Sequence, residues 1–288
     1  MSDDFEVIVI DNASSDGSPD AIKAEFPQVQ FIQSDENLGF AKANNVAAKE
    51  SKAEHILLLN PDTLILDHAI DRLMSFAAEN PNAGIWGGRT KFPDGSLNPT
   101  SSWRFMSLWS ILVQAMGLHT VLRNSELFNF ERYGGWQRDT VREVDIVSGC
   151  FLLIRRDLWE KLGGFDDSFF MYAEEADLCY RTRQLGMRPL FTPEATIVHY
   201  GGASETVLSD KIIRLLSGKI SFINKHWSEP KRTLGISLFK LRASMRALGH
   251  SVRALLTRSE RHEAAALQWR SIWLARHKWA AGYKPVSK

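Results

Sequence analysis

What most constrains this chain is the alternation at its start, where short apolar runs, closed by turns rich in acids and amides, are separated by helix-patterned segments. Phe5-Glu6-Val7-Ile8-Val9-Ile10 reads as a buried strand, and Asp11-Asn12-Ala13-Ser14-Ser15-Asp16-Gly17 as the loop that ends it. Ser18-Pro19 opens a helix, with Ser as N-cap and Pro at the first helical position. Ala21, Ile22 and Phe26 follow at helical spacing. Val29-Gln30-Phe31-Ile32 is a second strand, residues 39–49 a helix and residues 55–59 a third strand, and Ile70, Leu73, Met74 and Ala77 mark another helix. Such alternation predicts βαβ units and a mainly parallel sheet. Ligands of these sheets bind beyond the carboxyl ends of the strands, where Asp11 and Asp62 both fall.

Two acidic sites far apart in sequence suggest a reaction. Asn60-Pro61-Asp62-Thr63 closes the run Ile56-Leu57-Leu58-Leu59. An oxygen-rich turn at a strand end can hold a hard divalent cation. Tyr172-Ala173-Glu174-Glu175-Ala176-Asp177 opens a helical stretch reaching Leu185 and ended by Gly186, and can supply a base. Metal plus base is the minimum equipment for moving a group off a diphosphate. Taken singly, Asn-Pro-Asp is an ordinary turn, and acids at a helix start are favoured by the helix dipole.

Later segments are less regular. Residues 105–122 contain one Arg-free, Lys-free and acid-free stretch, but Ser107, Ser110, Gln114, His119 and Thr120 dilute it, so a buried or interfacial helix is expected rather than a membrane span. Residues 144–154 read as a strand, and Ile197-Val198-His199 as a last short one. Cys150 and Cys179 suggest no disulfide framework and fit a reducing compartment. Met1-Ser2-Asp3-Asp4 lacks the basic start of a secretory signal.

Charge divides the chain. Residues 231–288 hold 13 Lys/Arg against Glu260 and Glu263, whereas residues 1–230 hold 22 positive and 32 negative side chains. Leu238, Leu241, Met245, Leu248, Val252 and Leu255 form one apolar stripe, with Lys240, Arg242, Arg246 and Arg253 off it. Trp269, Trp273 and Trp279 among Arg270, Arg276 and Lys278 read as an interfacial segment. The expectation is a main domain over residues 1–230 and a basic amphipathic helical tail over 231–288 that faces an anionic membrane surface. No nucleic-acid module is recognisable, and the acidic body argues against nucleic acid as partner.

In order along the chain, Asp11-Asn12-Ala13-Ser14-Ser15-Asp16-Gly17-Ser18, Leu58-Leu59-Asn60-Pro61-Asp62-Thr63 and Phe169-Phe170-Met171-Tyr172-Ala173-Glu174-Glu175-Ala176-Asp177-Leu178 resemble the motifs of an inverting family 2 glycosyltransferase of GT-A fold, close in flavour to bacterial rhamnosyltransferases. Asn37-Leu38-Gly39-Phe40, Ser148-Gly149-Cys150-Phe151, Gly163-Gly164-Phe165-Asp166 and His199-Tyr200-Gly201-Gly202 stand between and around them. The resemblance covers roughly residues 5–227. It implies a mixed α/β sheet of GT-A (Rossmann-like) type, a nucleotide-sugar donor such as dTDP-rhamnose, and a glycan or lipid-linked acceptor in cell-surface glycan synthesis. It places Asp11, Asn12, Ser14, Asn37, Gly39, Asn60 and Asp62 on the donor, and Asp62 with His199 on Mg²⁺ or Mn²⁺. It makes Glu175 the expected base, with Glu174 and Asp177 as the alternatives, because this chain has Glu where the family's second acid is Asp. Cytoplasmic location, peripheral at the inner face of the cell membrane, is the matching expectation. Against the family pattern, one βα unit ahead of Phe5 is missing. The alternative expectation is therefore a degenerate nucleotide-sugar-binding subunit.

Overall fold

The computed structural model describes residues 5–201 and 208–284. In chain order the elements are β1 Ile8–Asn12, α1 Ser18–Glu25, β2 Gln30–Ser34, α2 Gly39–Glu50, β3 His55–Leu59, β4 Thr63–Ile65, α3 Ala69–Glu79, β5 Ile85–Lys91, β6 Leu97–Asn98 and β7 Ser102–Trp103. Then come α4 Leu108–Ala115, α5 Leu118–Val121, β8 Arg142–Glu143, β9 Ile146–Val147, β10 Phe151–Arg155, α6 Arg156–Leu162, α7 Glu174–Gln184 and β11 Leu190–His199. Four helices close the order: α8 Leu208–His226, α9 Lys231–Thr257, α10 Glu260–Leu274 and α11 Arg276–Trp279.

These residues cluster into two compact units, one of residues 1–102 with 138–200, the other of residues 103–137 with 201–288. A division at residues 230/231 does not coincide with this boundary, because residues 103–137 and α8 cluster with the last helices.

The first unit is an α/β fold. Among the described residues β1 and β2 pair in parallel, with Asp11 opposite Gln33. A seven-stranded sheet has the path β3-β10-β5-β11-β4, with β6 on β5 and β8 on β11. Its pairings are antiparallel except β5 with β11, so the sheet is mixed rather than mainly parallel. The apolar alternation predicts strands but not their direction, which depends on the crossovers. Residues 144–154 do not form one strand: β9 and β10 are interrupted by a turn at Gly149-Cys150. The last strand runs ten residues rather than three. Trp86, Phe151, Leu153, Ala195 and Ile197 of the sheet bury against Ala69, Leu73 and Ala77 of α3. Each large apolar side chain sealed there contributes roughly 1.5–3 kcal/mol, which holds the strand ends at fixed positions.

The second unit is helical. Ser107 and Ser110 cap α4 reciprocally, and Gly117 at φ 75° ends it before α5. The apolar stretch 105–122 is thus two short helices, with Ile111 and Val113 buried. Ile111 packs with Leu216, Ile220, Ile223 and Trp227 of the α8 region, with Phe239 and Ala243 of α9, and with Ile272 and Trp279. Trp279 is wholly buried, and its indole N–H donates to the Ile272 carbonyl at 2.9 Å. It is therefore a core residue and not an interfacial one. Among the described residues no helix is long and apolar enough to cross a membrane.

Candidate active site

The loop after β1 is organised by its own amides. The Asp11 carboxylate is buried and accepts the Ser14 N–H at 3.2–3.3 Å. Asn12 Oδ1 accepts from the Leu38 N–H at 2.7 Å, and Asn12 Nδ2 donates to the Gly39 carbonyl and to Asn37 Oδ1, each at 3.2 Å. Asn37 Oδ1 also accepts from the Gly39 N–H at 3.0 Å. Gly39 has φ +76°, and a Cβ there would overlap the Phe170 carbonyl oxygen. That carbonyl takes the Phe40 N–H at 2.7 Å. The Asn37-Leu38-Gly39-Phe40 turn therefore fastens the end of β1 to the segment that leads into α7.

A second turn lies between β3 and β4. The Asn60 N–H donates to the Cys150 carbonyl at 3.2 Å, and Thr63 Oγ1 donates to the Asn60 carbonyl at 2.7 Å. His199 stands opposite Thr63 in the antiparallel β11–β4 register, and the Tyr200 N–H donates to the Asp62 carbonyl at 2.9 Å. This puts His199 Nε2 at 3.2 Å from Asp62 Oδ1 and 3.4 Å from Asn60 Nδ2, with the Asp62 and His199 side chains mostly buried. Among the described residues no group of three or more His, Cys, Asp or Glu converges as a full metal cage. The Asp–His pair is a partial donor set. It suits a hard divalent ion that completes its shell with phosphate oxygens and water. Gly201 is described, but Gly202 of the same motif lies outside the described residues.

The third element of the site is the start of α7. Tyr172 and Ala173 both adopt the left-handed conformation, at φ 70° and 72°. Two consecutive non-glycine residues there are strained, and such strain clusters at functional sites. Glu174 is almost wholly buried while Glu175 keeps partial access to solvent. Among the described residues, Oε2 of each is buried with no hydrogen-bond partner. Burial, and then the Glu175 charge, raises the Glu174 carboxyl well above the usual carboxylate range; burial raises Glu175. Such a pair holds a proton more readily than ordinary glutamates and can take one from a bound hydroxyl.

Asp177 is differently placed. It is fully buried and holds Arg181 Nε at 2.7 Å, while the same guanidinium donates to the Leu162 and Gly164 carbonyls at 2.7 and 2.8 Å. Asn45 secures the neighbouring loop by donating to the Phe165 carbonyl at 2.8 Å and accepting the Phe165 N–H at 2.9 Å. Asp177 and Gly163-Gly164-Phe165-Asp166 thus brace the approach to α7.

One connection is not evident from the sequence. The turn before β10 lies between the two acidic sites. Its Cys150 carbonyl takes the Asn60 N–H, and a Cβ on Gly149 would stand 4.0 Å from the Glu175 Cβ. Burial, with the charges of Glu175 and Asp62, pushes the Cys150 thiol up to about 11. Cys150 is therefore a packed, inert thiol, and it shows that Asp62 and Glu175 bear on one spot. Cys179 is pushed by burial to about 12 and is equally inert.

The model of glycosyl transferase family 2 matches residues 1–163, more than half of the chain. The chain belongs to glycosyl transferase family 2. An N-acetylglucosaminyl-diphospho-decaprenol L-rhamnosyltransferase of Mycobacterium tuberculosis is 29% identical over 92% of this chain and 89% of its own. Rhamnosyltransferase WbbL of Escherichia coli is 30% identical over 56% of this chain and 61% of its own. Among solved structures, a mannosyltransferase of Pyrobaculum calidifontis in complex with GDP-Man and Mn²⁺ superposes with a TM-score of 0.53 at 18% identity, covering 94% of this chain and 76% of that one. This supports the GT-A fold. As a family 2 glycosyltransferase the chain is a transferase enzyme. The family match includes Asp11, Asn60 and Asp62 and ends before Glu174, Glu175 and His199.

Proposed function

We propose that this glycosyltransferase moves a sugar, L-rhamnose from dTDP-rhamnose, onto a hydroxyl of a lipid-linked or polysaccharide acceptor, with inversion, in cell-envelope glycan synthesis. The observation that carries this reading is the convergence of the Asp62–His199 pair and the Glu174–Glu175 pair on the Gly149-Cys150 turn. The rhamnosyltransferase relatives support the sugar and the class of acceptor.

In this reading Asp11, Asn12, Ser14, Asn37, Gly39 and Asn60 form the donor side, and Asp62 with His199 holds Mg²⁺ or Mn²⁺. When bound, the ion neutralises the leaving nucleoside diphosphate. Glu175, the more accessible of the pair, accepts the acceptor proton as the new bond forms at the anomeric carbon and the sugar–phosphate bond breaks. Burial raises the Glu175 carboxyl; burial, and then the Glu175 charge, raises that of Glu174, sealed beside it. Asp177 positions α7 through Arg181.

The helices after Lys231 support peripheral attachment at the inner face of the membrane. Leu238 packs inward, but Leu241, Met245, Leu248, Val252 and Leu255 of the stripe stay exposed among basic residues. Leucine exposed beside arginine suits an anionic lipid surface.

The test is a product assay with nucleotide sugars, Mg²⁺ or Mn²⁺ and a soluble acceptor. Glu175→Gln is expected to lower turnover by about 10²–10⁴-fold, the usual contribution of a general base. Near-parental turnover in Glu175→Gln would overturn the base assignment. Donor binding with no turnover in the parent chain would overturn the transferase reading in favour of a nucleotide-sugar-binding subunit.

A further inference from the structure

One face of α9 carries a basic row that the transfer chemistry does not use. Arg242, Arg246, His250 and Arg253 are spaced by four, four and three, so they lie along one side of the helix. Like charges at i,i+4 destabilise a helix, and Arg242, Arg246 and His250 are partly withdrawn from solvent, while Arg253 is exposed. Arg242 Nε and His250 Nδ1 are buried with no hydrogen-bond partner among the described residues.

Other basic side chains face the row within the same helical unit. His119 of α5 feels Arg242, Arg246 and Arg132, and its Nδ1 is also buried without a partner. Arg246 lies over the Trp269 ring, with Cζ 5.5 Å from the centroid, and Arg132 lies over Trp103 at 5.4 Å. His262 of α10 places its ring 6.1 Å from His250. Among the described residues, the acid whose charge reaches Arg242 is Glu131. Glu131 is already engaged, by Lys219 Nζ at 2.9 Å and by the Ser110 hydroxyl at 2.7 Å. Burial and neighbouring arginines push His119 down to about 4 and Arg242 down to about 10. Among the described residues no carboxylate is hydrogen-bonded to Arg242 or Arg246, and Glu131, shared with Lys219, offsets their positive charge only in part.

We propose that His119, Arg242, Arg246 and His250 form a binding site for the phosphate or diphosphate of a long-chain lipid. Guanidinium groups recognise phosphate by paired N–H···O bonds, and these are the strong charge-assisted kind. The exposed leucine stripe runs one residue behind the row, Leu241 before Arg242, Met245 before Arg246 and Val252 before Arg253. A ligand with a phosphate head and a hydrocarbon chain satisfies both rows, whereas a soluble anion satisfies only one. The site rests on the lipid-linked-acceptor reading, but it belongs wholly to the second unit.

The experiment uses the full chain, without divalent metal, and three probes. These are inorganic diphosphate by calorimetry, phosphatidylcholine vesicles carrying a polyprenyl phosphate, and phosphatidylcholine vesicles carrying phosphatidylglycerol at equal surface charge. The parent is expected to bind diphosphate, and to prefer polyprenyl phosphate over phosphatidylglycerol by about tenfold, which one charge-assisted hydrogen bond can supply. Arg242→Gln with Arg246→Gln is expected to lose both the diphosphate signal and the preference. Asp62→Asn, on the donor side, is expected to keep them. Arg242→Lys retains the charge and guards against misfolding; it is expected to fold as the parent does and to lose most of the preference. Equal binding of the two vesicle types by the parent would overturn the proposal, since it signals diffuse charge rather than a site. Parental binding in the double variant would overturn it equally. Transfer to a soluble acceptor is expected to survive in the double variant. A parent that fails to transfer to any soluble acceptor would count against the transferase reading, not against this site.

Discussion

At the scale of single residues, the Glu174–Glu175 pair sets how the protein should respond to pH. Both carboxyls are raised by burial, Glu174 further by its neighbour's charge. A carboxyl whose folded pKa exceeds its unfolded one binds protons more tightly in the folded state. Its contribution to stability is present below the unfolded pKa and is lost as pH rises toward the folded pKa. Glu174→Gln removes that loss. The melting temperature of Glu174→Gln is therefore expected to gain on the parent as pH rises from about 5 to about 8, which thermal scans across buffers would show. A constant gap between the two proteins would place the Glu174 charge in solvent-like surroundings. In kinetics the acid limb of kcat/KM is expected above the ordinary glutamate value, because Glu175 must be unprotonated to take the acceptor proton. Asp62→Asn and His199→Gln are each expected to weaken Mn²⁺-dependent donor binding in titration calorimetry, without changing the pH behaviour of the carboxyl pair.

At the scale of elements, the entry into α7 concentrates the strain of the site. Ala173 has a Cβ in the left-handed region, where glycine has no penalty. Ala173→Gly is expected to relieve about 1 kcal/mol of that strain, less the entropy that glycine adds to the unfolded chain, so stability should change little. The informative readout is turnover, which should fall if the strained turn is what aims Glu175. Gly39→Ala is the converse case: φ +76° and the Phe170 carbonyl leave no room for a methyl. It is expected to destabilise by more than the ~1 kcal/mol of an ordinary glycine change, visible as a shift in urea midpoint. The strands, the helix starts and the turns carrying Asp11 and Asp62 are legible in the chain, because apolar runs and Asn, Asp and Gly turns are local signals. The direction of β10 is not, nor is the link from Cys150 to Asn60, because both depend on residues about ninety positions apart in sequence. The tie between Asp177 and Arg181 is missed for a different reason. An acid and an arginine four apart on a helix look like any surface pair until burial is known.

At the scale of the whole chain, the charge asymmetry acquires a structural meaning. Read as sequence, the residues after Lys231 are a basic amphipathic tail with one apolar stripe of leucines. In the structure Phe239 and Ala243 of α9 supply the core, and most of the leucine stripe is left outside. The hydrophobic period was legible, but which of two adjacent rows turns inward depends on α4, α8 and α10, which no local pattern specifies. This separates two sets of mutations. Phe239→Ala opens a fully buried position and is expected to cost about 3–5 kcal/mol, which would unfold the helical unit in a denaturant titration. Leu248→Gln with Leu255→Gln alters side chains that are 66% and 80% exposed, so the melting temperature should stay at the parental value. The same pair is expected to weaken binding to phosphatidylglycerol vesicles by tenfold or more, since inserting each leucine is worth on the order of 1 kcal/mol or more. Added salt should weaken the parent further by screening the arginines, whose reach contracts from about 10 Å at 0.1 M to about 3 Å at 1 M. Vesicle sedimentation with both variants separates the two contributions: leucine loss lowers binding at every salt concentration, and arginine loss removes the salt dependence itself. If the double leucine variant bound as the parent does, the exposed row would be an ordinary solvated helix face, and attachment would rest on charge alone.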